Sequence, residues 1–266
     1  MTISSDPFAQ RFAERAAQRR SALVVYVTAG HPDFERSLEL LRAISEAGAD
    51  VVEVGVPFSD PLADGPVIQA SSQRALDAGM NFDRSLELIS RAALPVPVVL
   101  FTYLNPLLAA GDDALRRAAN AGADGILVTD LPLGADPALE ERIASGPLAF
   151  IRLVAPTTPS RRMGDIARHG SGFVYLISRM GVTGVRDDVS PELPATIARL
   201  RAVTELPICV GFGISTPSQA AAVARLADGV VVGSAVVRAA DSSVGEAAEL
   251  VRSLRAAIDS AGPPAS

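Results

Sequence analysis

The chain has 266 residues, room for one large α/β domain or two small ones, and 48% of them are hydrophobic, which supplies a sizeable core. Its net charge of −6 contains no block of like charge, which argues against nucleic acid as the main partner. A single cysteine, Cys209, excludes an internal disulfide and fits a reducing compartment.

Residues 1–20 interleave Asp, Gln, Glu and Arg without an apolar core, so they do not read as a signal peptide, and 7–19 has helical spacing through Phe8, Phe12 and Ala16. No later stretch reaches the roughly 18 apolar residues that a membrane span needs, so a soluble, cytoplasmic protein is expected. Strand-like runs follow at 23–28, 51–54, 96–103, 125–129, 149–154, 173–177, 208–212 and 229–232. Helical patterns separate them at 34–47, 67–78 with 82–92, 113–121, 137–145, 160–168, 191–203 and 218–226, and a last helix at 243–258 closes the chain. Three helix-to-strand joints share one chemistry: Ala47-Gly-Ala-Asp50, Ala121-Gly-Ala-Asp124 and Leu226-Ala-Asp-Gly229. Glycine just past a helix ends it in the left-handed conformation and turns the chain into the next strand. Eight such βα units without a long linker predict an α/β fold, a single (β/α)8 TIM barrel with an extra N-terminal helix. The barrel domain spans 1–266, with its core at about 8–258 and a disordered tail at 259–266. A doubly wound sheet is the alternative, disfavoured because no Gly-rich turn follows the first strand.

In such a barrel the chemistry sits where the strands end. The second strand carries one acid, Glu53, just before Gly55 and Pro57 stop it, and the loop beyond holds Asp60 and Asp64. A lone acid in an apolar layer is heavily penalised, so Glu53 is either paired with an Arg or kept for chemistry. Other polar groups at strand ends are Tyr26, Thr28, Tyr103, Asn105, Asp130, Tyr175, Ser178 and Arg179. Gly211-Phe-Gly213 is half of a dinucleotide fingerprint, placed too late in the chain for that role. With Gly233-Ser234, which opens a short extra helix through Arg238, it reads instead as a phosphate cup. The Gly-punctuated stretch 178–188 has the composition of a lid or of a plain surface loop. No metal site is expected: the only histidines, His31 and His169, lie 138 residues apart and read as turn or cap residues. Every basic residue is Arg, so a Schiff base on lysine is excluded. Cys209, within Pro207-Ile-Cys-Val210, reads as a core residue.

Four segments resemble tryptophan synthase alpha chains: Glu53-Val-Gly-Val-Pro-Phe-Ser-Asp-Pro-Leu-Ala-Asp-Gly-Pro66, Ser178-Arg-Met-Gly-Val-Thr-Gly184, Gly211-Phe-Gly-Ile214 and Gly233-Ser-Ala235. The resemblance runs from about Phe8 to about residue 250. It implies a barrel that cleaves indole-3-glycerol phosphate to indole and D-glyceraldehyde 3-phosphate, with no cofactor of its own. It also implies a partner beta chain that holds pyridoxal phosphate, two alpha and two beta chains together. By the same resemblance Glu53 aligns with the family's general acid/base and Asp64 with the carboxylate at the indole N–H. Tyr26, Tyr175, Thr183, Gly184, Gly213, Gly233 and Ser234 align with substrate-pocket and phosphate positions. Val25 departs from a Pro common in the family, and Met180 falls at a variable lid position; neither touches the chemistry. A related phosphate-binding barrel isomerase or synthase of indole or histidine biosynthesis is the rival reading, weakened by the absence of Lys. A non-catalytic activating subunit is the other, weakened by the presence of both Glu53 and Asp64.

Overall fold

The computed structural model describes residues 6–177, 191–211 and 213–262. Eight parallel strands close into a barrel in sequence order: β1 (Ala22–Thr28), β2 (Val51–Gly55), β3 (Val98–Thr102), β4 (Gly125–Val128), β5 (Ala149–Val154), β6 (Val174–Ile177), β7 (Ile208–Gly211) and β8 (Gly229–Val232). β8 pairs with both β7 and β1, which completes the ring. Each strand matches an expected run to within about two residues; the third is shorter at its start because Pro97 cannot donate to the ladder.

The helices are α1 (Pro7–Ala17), α2 (Phe34–Glu46), α3 (Pro66–Asp77), α4 (Phe82–Ala92), α5 (Leu104–Ala109), α6 (Ala114–Asn120), α7 (Pro137–Ala144), α8 (Ser160–Arg168), α9 (Leu193–Arg201), α10 (Pro217–Ala224), α11 (Ser234–Ser242) and α12 (Val244–Ser260). α5 has no counterpart in the sequence reading. Six residues with Pro106 among them are too few to show a helical period, and the backbone N–H of Leu104 is held by the Asp130 carboxylate at 2.6 Å.

Strand side chains alternate between two apolar layers. Leu23, Val25 and Val27 face the helices, while Val24 and Tyr26 face the barrel interior with Val51, Val99, Leu127, Ile151 and Tyr175. The outer layer is filled by helix residues such as Leu41, Ile44, Val223 and Leu254, and each such side chain, fully buried, contributes roughly 1.5–3 kcal/mol. α1 plugs the N-terminal end of the barrel: the Phe8 and Phe12 rings each sit 5.9 Å from that of Phe173. Only the opposite end, where the strands finish, remains for a substrate.

Asp50, at the start of β2, shows how a buried acid is normally kept. It is fully buried and accepts from Arg15 of α1, from Arg255 of α12 at 2.8 Å and from the Leu23 backbone N–H at 2.8 Å. The ion pairs join both terminal helices to the barrel, and removing one partner of such a pair leaves an uncompensated buried charge. Glu53, three residues further on, has no such company.

Candidate active site

Glu53 shares the inward parity of Val51 on β2 and is 1% exposed. Neither carboxyl oxygen has a hydrogen-bond partner among the described residues, so none of the described arginines pairs with it. Burial therefore acts unopposed and pushes its pKa from an ordinary 4.5 up to about 8.

Two tyrosines flank it. Tyr26 lies beside Glu53 in the β1–β2 register, its ring edge-on to Phe101 with centroids 5.2 Å apart. Tyr175 rises from β6 into the same inner layer. Both hydroxyls fit because a neighbouring strand ends in glycine. A Cβ on Gly55 would meet the Tyr26 hydroxyl at 2.1 Å, and one on Gly211 the Tyr175 hydroxyl at 2.3 Å. Burial first, and then the nearby carboxyl groups, raise both phenol pKa values well above the usual range.

Asp64 reaches the same region from the loop between β2 and α3. It is 8% exposed and accepts from the Tyr103 hydroxyl at 3.0 Å. That hydroxyl in turn accepts from the Ala63 backbone N–H at 3.0 Å, and the Tyr103 ring lies against Phe58 with centroids 5.2 Å apart. The Gln69 side chain donates to the Asp64 carbonyl at 2.9 Å. The acidic loop is thus pinned by Tyr103. Burial raises the Asp64 pKa and the Tyr103 hydrogen bond, which favours the ionised form, lowers it; the balance is about 6. Tyr103 is the residue that sequence reasoning placed at a strand end without a role. Its contact joins two loops 39 residues apart, and no spacing rule signals that.

Tyr103→Phe removes the hydroxyl, and with it both the hydrogen bond to Asp64 and the one accepted from the Ala63 N–H. The Asp64 pKa should rise by about one unit or more, since a hydrogen bond to a charged group is worth roughly 1.5 kcal/mol or more. The acid limb of kcat/KM should move up by the same amount while the rate well above it changes little. An acid limb that stays in place would show that Tyr103 does not govern the ionisation of Asp64.

The glycine-rich ends of β7 and β8 form the third part. Gly213 has φ of +83°, a left-handed conformation that side chains disfavour. Gly233 stands at the N-cap of α11, which has no capping side chain, so the first amides of the helix, starting at Ser234, are left to bind something else. A Cβ on Gly233 would come within 3.2 Å of the Tyr26 Cβ, so this corner abuts the tyrosine beside Glu53. The short helix expected through Arg238 extends to Ser242. Thr183 and Gly184, with the rest of 178–190, and Phe212 lie outside the described residues.

The remaining sequence candidates have other duties. Asp130 caps α5, the Thr28 hydroxyl bonds that of Ser71 at 2.7 Å, and Cys209 is a fully buried core thiol. His169 ends α8 at the surface, and His31 sits in a turn closed by its N–H to the Thr28 carbonyl, there 2% exposed. Among the described residues no group of three or more His, Cys, Asp or Glu stands where it could hold a metal ion, and no helix is long and apolar enough to cross a membrane.

Comparison with known proteins fits this geometry. The family model described as tryptophan synthase alpha chain matches residues 12–261. The tryptophan synthase alpha chain of Gluconacetobacter diazotrophicus is 49% identical over 240 residues, covering 89% of this chain and 88% of that one. That of Desulfatibacillum aliphaticivorans is 50% identical over 234 residues, covering 85% and 87%. Among solved structures, Mycobacterium tuberculosis tryptophan synthase superposes with a TM-score of 0.88 at 35% identity, over 95% of this chain and 98% of that one. Tryptophan synthase subunit alpha of Legionella pneumophila gives 0.87 at 34%, over 97% and 100%. With a closed barrel, a pair of buried carboxyls at its open end and relatives of this identity over nearly its whole length, the chain belongs to the tryptophan synthase alpha chain family.

Proposed function

We propose that Glu53 and Asp64 are the carboxyl pair through which this tryptophan synthase alpha chain cleaves indole-3-glycerol phosphate to indole and D-glyceraldehyde 3-phosphate, a step of L-tryptophan biosynthesis. The observation that carries the reading is a pair of buried acids in unlike settings at one barrel mouth. Glu53 has no partner among the described residues and burial pushes its pKa up to about 8, whereas Asp64 is held by the Tyr103 hydroxyl and settles at about 6. Near neutral pH the first keeps its proton and the second is ionised, so each suits a different task.

Glu53 gives its proton to C3 of the indole ring, which becomes an indoleninium with positive charge at nitrogen. The resulting carboxylate takes the proton of the hydroxyl on the side-chain carbon bonded to C3. As that oxygen becomes the aldehyde, the electrons of the breaking carbon–carbon bond return to the ring and neutralise it to indole. Glu53 ends with its proton restored, one group serving as acid and then base. Asp64, ionised at the ring N–H, stabilises the cationic ring more than the neutral substrate, which lowers the barrier. Tyr26 and Tyr175 wall the ring. The amides around Gly213, Gly233 and Ser234 take the phosphate, with Thr183 and Gly184 assigned beside them by resemblance.

The partner is a beta chain carrying pyridoxal phosphate, two alpha with two beta chains, in the cytoplasm. The barrel mouth suits such a cover: Leu62, 91% exposed in the loop that holds Asp64, and Leu108 of α5, 50% exposed, are large apolar side chains left in water beside the site. The chain, 1–266, works as one barrel domain in this reading. Incubation of the purified chain with indole-3-glycerol phosphate should release indole and glyceraldehyde 3-phosphate in equal amounts, faster with a beta chain present. No indole under either condition would reject the assignment.

A further inference from the structure

Beyond β1 the chain turns tightly: the His31 backbone N–H meets the Thr28 carbonyl, and that of Gly30 meets the Ser37 hydroxyl of α2. The His31 side chain lies beside α3 and α11, next to Val67, Ala70 and Arg74 of the first and Asp241 of the second. It is 2% exposed, and both ring nitrogens are shut off from solvent. Neither His31 nor Asp241 belongs to the carboxyl pair or to the phosphate cup.

Among the described residues one acceptor faces the ring: Asp241 Oδ1, 3.2 Å from Nε2. A carboxylate only accepts, so Nε2 carries the hydrogen. Burial lowers the imidazole pKa, Asp241 raises it and Arg74 lowers it, with a net fall, so the ring is uncharged at neutral pH. The same Asp241 oxygen accepts from Arg74 at 2.5 Å, but Arg74 is 59% exposed, and a pair so open to water holds little in place. His31 is the member of the trio anchored in the interior.

Asp241 stands where a carboxylate is otherwise unwelcome. It falls in the last turn of α11, at the negative end of the helix dipole, and that turn has no basic residue of its own. Its partners come from other elements, so the contact ties α11 to the end of β1 and to α3. Ser234 and Asp241 are seven residues apart, two helical turns, so both lie on one face of α11, about 10 Å apart along its axis. Val236, Val237 and Ala240 pack another side of the helix, and apolar contact is non-directional. The polar tie is what sets how far the helix is turned and advanced. We propose that His31 is a positioning residue for the substrate phosphate: through Asp241 it holds α11 in place against β1, and so aims the amides at Ser234. This rests on the reading that those amides take the phosphate.

The test is cleavage of indole-3-glycerol phosphate by the whole chain at pH 7.5, with each product also measured as an inhibitor. Glyceraldehyde 3-phosphate reports the phosphate half of the site and indole the ring half. His31→Phe keeps a ring and loses the N–H, His31→Gln keeps a donor, and Asp241→Ala removes the acceptor. Asp241 is 39% exposed, so that variant keeps the test open should His31→Phe not fold. Both His31→Phe and Asp241→Ala should raise KM and the inhibition constant of glyceraldehyde 3-phosphate by about three- to tenfold, with kcat within about twofold and the indole constant unchanged. His31→Gln should recover most of the loss, and the double variant His31→Phe/Asp241→Ala should be no worse than either single one. Ser234→Asp, which puts like charge in the cup, should raise the same two constants; if it does not, the phosphate reading fails, and the role of His31 with it. If it does, four results would each overturn the role of His31 alone: constants unchanged in His31→Phe or in Asp241→Ala, losses that add in the double variant, an indole constant that rises alike, or a His31→Gln no better than His31→Phe.

Discussion

Glu53→Gln should lose nearly all cleavage activity and at the same time make the protein more stable at neutral and alkaline pH. Glutamine keeps the shape of the side chain but has no proton to give to C3 and cannot take one from the hydroxyl, and losing a general acid/base costs about 10²–10⁴-fold or more. The stability gain follows from the displaced pKa. Between 4.5 and about 8 the folded chain keeps on Glu53 a proton that the unfolded chain has released. The folded state binds more protons there, so its stability falls as pH rises through that window, by up to about 1.4 kcal/mol for each unit crossed. Glutamine escapes this loss. The melting temperatures of parent and variant should converge near pH 4, separate progressively up to about pH 8 and then run parallel. Each kcal/mol is worth roughly 2–4 °C for a chain of this size. An active variant would remove Glu53 from the mechanism; an inactive variant with no pH-dependent gain in melting temperature would mean the group is not held in a dry site.

Asp64→Asn should be severe in turnover and mild in binding. The amide can still accept a hydrogen bond from the ring N–H and from Tyr103, so KM should change little. What it lacks is the negative charge that answers the positive ring, an interaction that matters only as the ring is protonated. Losing a stabilising group of this kind typically lowers kcat by about 10²–10³. The acid limb of the pH profile should vanish with it, because no group of pKa about 6 remains to be protonated. A variant with normal kcat and a raised KM would make Asp64 a positioning group.

The barrel itself is legible in the sequence because strands buried on both faces read as short apolar runs, and all eight lie where such runs fall. What the runs hide is the difference between acids that look alike. Asp50 and Glu53 sit three residues apart on one β-branched stretch, and nothing local separates them. Asp50 is satisfied by Arg15 and Arg255, which lie 35 and 205 residues away in sequence, while Glu53 faces an apolar barrel interior. Tyr103 and His31 were hidden for the same reason. A hydroxyl meets an aspartate across two loops, and a histidine that follows a strand is buried beside α3 and α11, only when helices and strands are placed in space. Glycines at 55 and 211 are legible as strand ends, but their second task, making room for two tyrosine hydroxyls, depends on the closed barrel.

The central claim is that one protonated and one ionised carboxyl share the barrel mouth at neutral pH. The pH dependence of kcat/KM for indole-3-glycerol phosphate cleavage tests it most directly, because that profile reports the groups of the free enzyme. The account predicts a bell: activity rises as Asp64 ionises near pH 6, peaks near neutrality and falls as Glu53 loses its proton near pH 8. A profile that stays flat from pH 5 to 9, or whose only break lies near the ordinary carboxylate value of about 4, would contradict it.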